Sequence, residues 1–176
     1  MKLLALSGSL RAASHNTALL RACALLAPAG MQLTLYPTLG LLPLFNPDLE
    51  AIPPEPVADL RAQIIAADAL LIASPEYAHG VSGVMKNALD WMVSSEAFVD
   101  KPVALLNASP RATHAQAALR EILCTMSARL IEDASLAVPI LGSKLDIQGI
   151  CAHPAISSSL LGALTALQMH PVSLSA

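Results

Sequence analysis

Charge is scarce in this chain. Lys and Arg together number ten and Asp and Glu thirteen in 176 residues, for a formal net charge of -3. So few cations make no basic stripe for tracking phosphates along a strand, and nucleic acid is excluded as an expected partner. Charged residues are 13% of the chain, against an average near ~25%, and hydrophobic residues are 55%. Burying that much apolar surface calls for a sheet covered on both faces, for subunits that cover one another, or for both, and both are expected. Cysteine is scarce too. Cys23, Cys124 and Cys151 lie far apart without CxxC spacing, which argues against a disulfide framework or a zinc site and suits a reducing compartment. All three are expected to be small apolar fillers. Long apolar runs are missing as well: the uncharged stretch after Asp146 is broken by Pro154, three consecutive serines and Gly162, short of the ~20 residues of a membrane span. The amino terminus enters strand pattern after one Lys, without the three-part plan of a signal peptide. A soluble, cytoplasmic protein with no membrane partner is expected.

What is present is alternation. Short continuous apolar runs recur at Leu3–Leu6, Gln32–Leu35, Ala69–Ala73 and Pro102–Asn107, with a weaker one at Ser135–Ile140. Runs of this length without polar alternation suit strands buried on both faces. Helix-like segments separate them: Asn16–Leu26, Pro56–Ala67, Gly83–Val93, Thr113–Met126 and finally Ile156–Met169. Strand and helix thus alternate about five times, which calls for a five-stranded parallel sheet with helices on both faces. The segment from Pro37 to Pro56 holds six of the thirteen prolines and is expected to be an ordered loop. With no linker, repeat or low-complexity tract, residues 1–176 are expected to form one domain.

In such sheets ligands sit beyond the carboxyl ends of the strands, near the reversal of strand order. Three loops leave strand ends with unusual chemistry. The first, "SGSLRAASHN", brings Ser9, Ser14, Asn16 and Thr17 as side-chain donors, Arg11 as a cation, and free N–H groups at a helix start. That set suits an anion, above all a phosphate; Ser14 or Asn16 serving only as a helix cap is the plainer alternative. Neither GxGxxG nor GxxxxGK[ST] is present, so the dinucleotide fingerprint and the Walker loop are both excluded. The second, "SPEYAHGVSG", stiffens its exit with Pro75, offers backbone amides from Glu76 through Ala78 to Gly80, and presents Tyr77 as a flat face with a hydroxyl tip. It suits an aromatic ring edge; a tight turn with Tyr77 filling a core gap is equally open. The third, "NASPRATH", carries Ser109, Arg111 and Thr113, as a lid over the same ligand or as a turn capped by Thr113. Metal-spaced histidines and a GxSxG elbow are absent.

"GSLRAASHNTALL" resembles the GSxRxxSxN phosphate loop, and "SPEYAHGVSGVMKNALDWM" resembles the PEYxxGxxGxxKNAxDW segment, of the NADPH-dependent FMN reductase family. The resemblance implies a flavodoxin-like three-layer α/β sandwich, non-covalent FMN, and NADPH or NADH as co-substrate. It further implies hydride transfer through FMN to a small acceptor such as a flavin, a quinone, an azo compound or a metal oxyanion such as chromate. By the same resemblance Ser9, Arg11, Ser14, Asn16 and Thr17 would hold the phosphate. Pro75, Glu76, Tyr77, Ala78 and Gly80 would border the isoalloxazine, with Ser109 beyond them. Relatives often place Asn after the Tyr of the second loop and glycines in the third; Ala78, His79, Ser109 and Arg111 depart from that pattern. The helix containing Lys86, Asp90 and Trp91 commonly lies at a subunit contact in this family, where Trp91 would suit an interface; a helix packed only inside its own subunit is the alternative. A solvated face on the uncharged final helix, Ile156–Met169, would expose much apolar surface, so a homodimer or homotetramer is expected. Two rivals stand beside this reading. A flavodoxin-type electron carrier without its own turnover lacks its usual acidic docking face here, and a hydrolase using the first loop as an anion hole lacks a nucleophile.

Overall fold

Three neighbouring strands with almost no exposed residue decide the architecture. The computed structural model describes residues 1–170; residues 171–176, part of the expected single domain, lie outside the described ones. In chain order the elements are β1 (Lys2–Ser7), α1 (His15–Leu26), β2 (Gln32–Leu35), α2 (Glu55–Ala66), β3 (Ala69–Ala73), β4 (Glu76–Tyr77) and β5 (Gly80–Val81). They continue with α3 (Gly83–Asp90), β6 (Pro102–Asn107), α4 (Thr113–Thr125), β7 (Arg129–Leu130), β8 (Leu136–Ala137), α5 (Ile147–Ala152) and α6 (Pro154–Gln168). The sheet runs β2-β1-β3-β6 in parallel, with Leu3 beside Ala69 and Leu70 beside Val103, and β7 and β8 share the fifth position. Strand order reverses between β1 and β3, since β2 lies on the other side of β1. That reversal is where a ligand crevice opens.

Because successive side chains point to opposite faces, each buried strand feeds two cores. Leu4, Leu6, Leu70, Ile72, Val103 and Leu105 pack with Val57, Leu60 and Ile64 of α2, Leu89 of α3, and Leu119 and Leu123 of α4. Leu3, Ala5, Leu71, Ala104 and Leu106 pack with Leu19 and Leu20 of α1, Ile150 of α5, and Leu160 and Leu164 of α6. Each fully buried Leu or Ile contributes about 1.5–3 kcal/mol. The three-layer sandwich expected from the pattern is therefore formed.

The fifth strand departs from expectation. A single run at Ser135–Ile140 is replaced by two short pieces, separated by a 3-10 turn at Glu132–Ala134. At the gap the Ser135 hydroxyl accepts from Leu105 N at 3.1 Å, standing in for the missing carbonyl of the ladder. Pro139 has no N–H to continue the strand.

Two further expectations are corrected by packing. Trp91 is fully buried within its own subunit, edge-on to Phe45, and its Nε1 donates to Pro43 O at 2.8 Å. It is not an interface anchor. One turn earlier on the same face, Asn87 Nδ2 donates to Pro43 O at 3.0 Å and its Oδ1 accepts from Phe45 N at 2.8 Å. The "KNALDW" segment therefore pins the proline-rich connection. The exposed side of α6 carries Ala155 and Leu161 beside Ser158, Ser159, Thr165 and Gln168. Cys23 is buried, but Cys151 is half-buried and Cys124 is exposed, so not all three are fillers.

Lys101 opens β6 at only 6% exposure, and its ammonium donates to Ala67 O at 2.6 Å and Ile65 O at 3.3 Å. A cation on the last carbonyls of α2 complements the helix dipole. Burial nevertheless lowers its pKa, against a smaller opposing effect of Asp68. The unfolded chain then binds more protons between the lowered value and the ordinary Lys pKa, so stability rises with pH across that window. Denaturant melts from neutral pH to pH ~10.5 are expected to show this rise in the wild type and not in Lys101→Met. Parallel curves for the two proteins would show that the burial has no such cost.

Candidate active site

The β1 exit is built by close approach. Gly8 N donates to Ala73 O at 2.8 Å, and a Cβ on Gly8 would lie 2.5 Å from Ser74 Oγ and 2.8 Å from Ser82 Oγ. Only glycine lets the first two loops lie side by side here. Ser7 Oγ and Thr17 Oγ1 are 2.7 Å apart, which braces the loop against α1. Ser14 caps α1, accepting from Thr17 N at 3.2 Å. Among the described residues none accepts from the N–H groups of Ala12, Ala13, His15 or Asn16. Those donors and the positive end of α1 face the loop.

The second loop is a two-residue hairpin. Glu76 pairs with Val81 and Tyr77 with Gly80, and Ala78 (φ 48°) and His79 (φ 59°) turn the chain in the left-handed region. Two positive φ values match a type I′ turn, which favours Asn-Gly rather than Ala-His; the pattern of relatives with Asn after Tyr fits the same geometry. The His79 ring stacks on His114, with centroids 4.3 Å apart and planes 12° from parallel. Tyr77 is 58% exposed, so it does not fill the core. Gly80 and Gly83 meet no crowding of the kind seen at Gly8.

The third loop is shaped by Asn107, whose Oδ1 accepts from Ser109 N at 2.9 Å and whose Nδ2 donates to Ala112 O at 3.3 Å. Thr113 does not cap α4; Ala112 holds that position without a side-chain bond. The cap comes from the second loop instead, where Glu76 Oε2 accepts from Ala115 N at 2.9 Å. A buried bond ties the first loop to the third: Asn16 Oδ1 accepts from Ala108 N at 3.0 Å across 92 positions of chain.

The three loops enclose a cavity of about 350 Å³, within the size range of small-molecule sites. Of the residues singled out from the sequence, Ser9, Arg11, Ser14, Asn16, Pro75, Glu76, Tyr77 and Ser109 line it together. Thr17 lines the neighbouring cleft with Arg21 and Tyr36, and Ala78 and Gly80 belong to the hairpin outside the lining. His15, Asn107 and Leu141 also line the cavity. Asn107 was legible as a strand end and the first residue of the third loop, without a role of its own, and Leu141 carries no motif. Cys23 is no thiolate nucleophile, since burial and then the neighbouring Cys151 push its pKa up to about 12. Among the described residues no three His, Cys, Asp or Glu side chains group as a metal site. Among them, too, no helix is long and apolar enough to cross a membrane.

The sequence profile of NADPH-dependent FMN reductases matches residues 1–141. The chain belongs to the NADPH-dependent FMN reductase family. It is 36% identical to an NAD(P)H-dependent FMN reductase of Pseudomonas aeruginosa over 175 residues, covering 96% of this chain and 94% of that one. It is 30% identical to a quinone reductase of Escherichia coli, covering 94% and 93%. Among solved structures, the NAD(P)H:(acceptor) oxidoreductase FerB of Paracoccus denitrificans superposes with a TM-score of 0.75 at 25% identity, covering 97% of this chain and 98% of that one. FMN, the family's cofactor, fits the residues present: hydroxyls, unpaired N–H groups and the Arg11 guanidinium suit its phosphate, and an exposed tyrosine edge suits its ring.

The close approach at Gly8 is open to test. Gly8→Ala is expected to cost about 1–3 kcal/mol by overpacking and to weaken FMN binding, and Ser74→Gly in the same chain to restore most of both. Urea melts and flavin titrations check this; a Gly8→Ala protein as stable and as retentive as the wild type would contradict it. Glu76→Ala is expected to cost about 1 kcal/mol through the lost cap, with Glu76→Gln costing less, by the same melts.

Proposed function

We propose that residues 1–176 act as one FMN-binding unit that oxidises NAD(P)H and passes the hydride on to a small acceptor of the quinone or flavin class. The observation that carries this is the convergence of a phosphate cradle and an exposed tyrosine hairpin on one open cavity, in a chain of this family. Ser9, Arg11, Ser14 and Asn16, with the free N–H groups of the first turn of α1, hold the FMN phosphate. Thr17 braces that loop through Ser7. Pro75, Glu76 and Tyr77 border the ring, Ala78 and Gly80 set the hairpin that presents them, and Ser109 closes the far edge.

When bound, FMN supplies the atom that accepts and then donates hydride, so the protein need contribute no acid, base or nucleophile. Its own residues bind, orient and exclude water. Glu76 keeps its carboxylate on the start of α4, away from the donors of the first loop. Tyr77 covers one edge of the cavity and leaves the mouth open to solvent. Reductant and acceptor then take turns at the same place. The relatives' names point to flavins and quinones, including a 2-hydroxy-1,4-benzoquinone reductase of a Burkholderia species at 33% identity. Azo compounds and metal oxyanions such as chromate are further candidates for so open a mouth.

The carrier alternative is disfavoured, since a carrier docks its partners through an acidic face and Arg11 and Arg111 line this mouth. Free cysteines and a need for NAD(P)H support a cytoplasmic setting. Anaerobic mixing with NADPH or NADH is expected to bleach the flavin within the turnover time, and initial rates to give parallel double-reciprocal lines. Intersecting lines, or a flavin that stays yellow, would count against the proposal.

A homodimer or homotetramer is proposed on a different surface from that expected. Leu41, Leu44 and Ile52, on the connection between β2 and α2, are 70%, 84% and 87% exposed, and such surface favours burial against another subunit. Sedimentation is expected to give a dimer or tetramer, and Leu44→Ser with Ile52→Ser to lower its order. A monomer at micromolar concentration would contradict this.

A further inference from the structure

The chain has ten Lys and Arg side chains. Five are engaged within the fold: Lys86 with Asp90, Arg120 with Glu132, Arg61 on Trp91 O, Lys101 on the end of α2, and Arg129 on His170 O. Four of the remaining five, Arg11, Arg21, Arg111 and Lys144, line adjoining cavities around the start of α1. Among the described residues none of these four forms an ion pair. In a chain with a net charge of -3, that concentration is a demand for anions.

One phosphate does not meet it. Arg11 and Arg111 line the FMN cavity, whereas Arg21 and Lys144 line a second cavity of about 340 Å³. The two cavities share Ser14 and His15 on one wall. On the other wall Leu141 belongs to the first and Ser143 to Ile147 belong to the second, so the chain passes from one into the other through Gly142 at φ 84°. Ala13, Ala18, Leu145 and Ile147 give the second cavity an apolar floor. Its carboxylate, Asp146, caps α5 by accepting from Gly149 N at 2.8 Å. What it offers is an apolar surface beside two exposed cations, meeting the first cavity at Ser14 and His15.

We propose that this second cavity takes the adenosine half of the reductant, with Arg21 and Lys144 holding a 2′-phosphate, so that NADPH is preferred over NADH. This rests on the reductase function proposed above. Charge-assisted contacts from an Arg and a Lys to a phosphate dianion are strong, and NADH has no group to receive them. Lys144 lines only this second cavity, which makes it the cleaner probe; Arg21 also lines the cleft containing Thr17.

The test uses the FMN-loaded protein and two soluble probes, adenosine 2′,5′-bisphosphate and adenosine 5′-monophosphate, titrated by calorimetry. The bisphosphate is expected to bind at least about tenfold more tightly, and Lys144→Ala to remove that preference. In steady state the same substitution is expected to raise the KM for NADPH about tenfold while the KM for NADH and the affinity for FMN stay where they were. Equal binding of the two probes, or KM values for both dinucleotides that rise together, would overturn the assignment. Should neither dinucleotide bleach the flavin, the reductase function itself falls, while the calorimetric comparison still decides the cavity by its own result.

Discussion

The carboxyl ends of β1 and β3 come so close that nothing larger than hydrogen fits on the α-carbon of Gly8 without moving Ser74 and Ser82. That one constraint sets the first two loops edge to edge at the strand-order reversal. Two long-range bonds then complete the enclosure: Asn16 joins the first loop to the third, and Glu76 joins the second to the helix that follows the third. Each bond ties the loop end of one crossover to another, so the cavity is set by the scaffold and not by the ligand. Preorganisation of this kind lowers the ordering cost of binding.

Scarcity of charge and the position of the charges belong to the same account. A sheet buried on both faces has no room for ionised groups, so most of the few cations either satisfy helix ends and carboxylates or collect at the crevice. Lys101 illustrates the first use, held in the interior by two backbone carbonyls. Arg11, Arg21, Arg111 and Lys144 illustrate the second. The exposed Lys86–Asp90 pair, 2.5 Å apart on α3, adds little by itself, as surface pairs usually do.

Much of this was legible in the sequence, because buried parallel strands are uninterrupted apolar runs. Ala69–Ala73 and Pro102–Asn107 are found at the residues expected. The fifth strand was not legible as it stands, since the contribution of Ser135 is a side-chain hydroxyl bonded to a backbone 30 positions away. Nor was the short α5, which has six residues and one fully buried side chain, Ile150. In the site, eight of the expected residues share one cavity because their loops leave adjacent strands, a consequence of topology. The roles of Asn16, Glu76 and Trp91 were hidden for the opposite reason. Each bonds a partner remote in sequence, and local spacing reports only local partners. The left-handed pair Ala78 and His79 was hidden too, since neither residue type announces a positive φ.

The central claim is that the cavity grips a mononucleotide by its phosphate at the start of α1. Titrating the flavin-free protein with FMN and with riboflavin, which differ only in that group, tests it most directly. FMN is expected to bind at micromolar concentration or below and riboflavin about a hundredfold more weakly, a difference of about 2.7 kcal/mol. Equal affinities would mean that the first loop does not hold the phosphate and that the site is organised around some other contact.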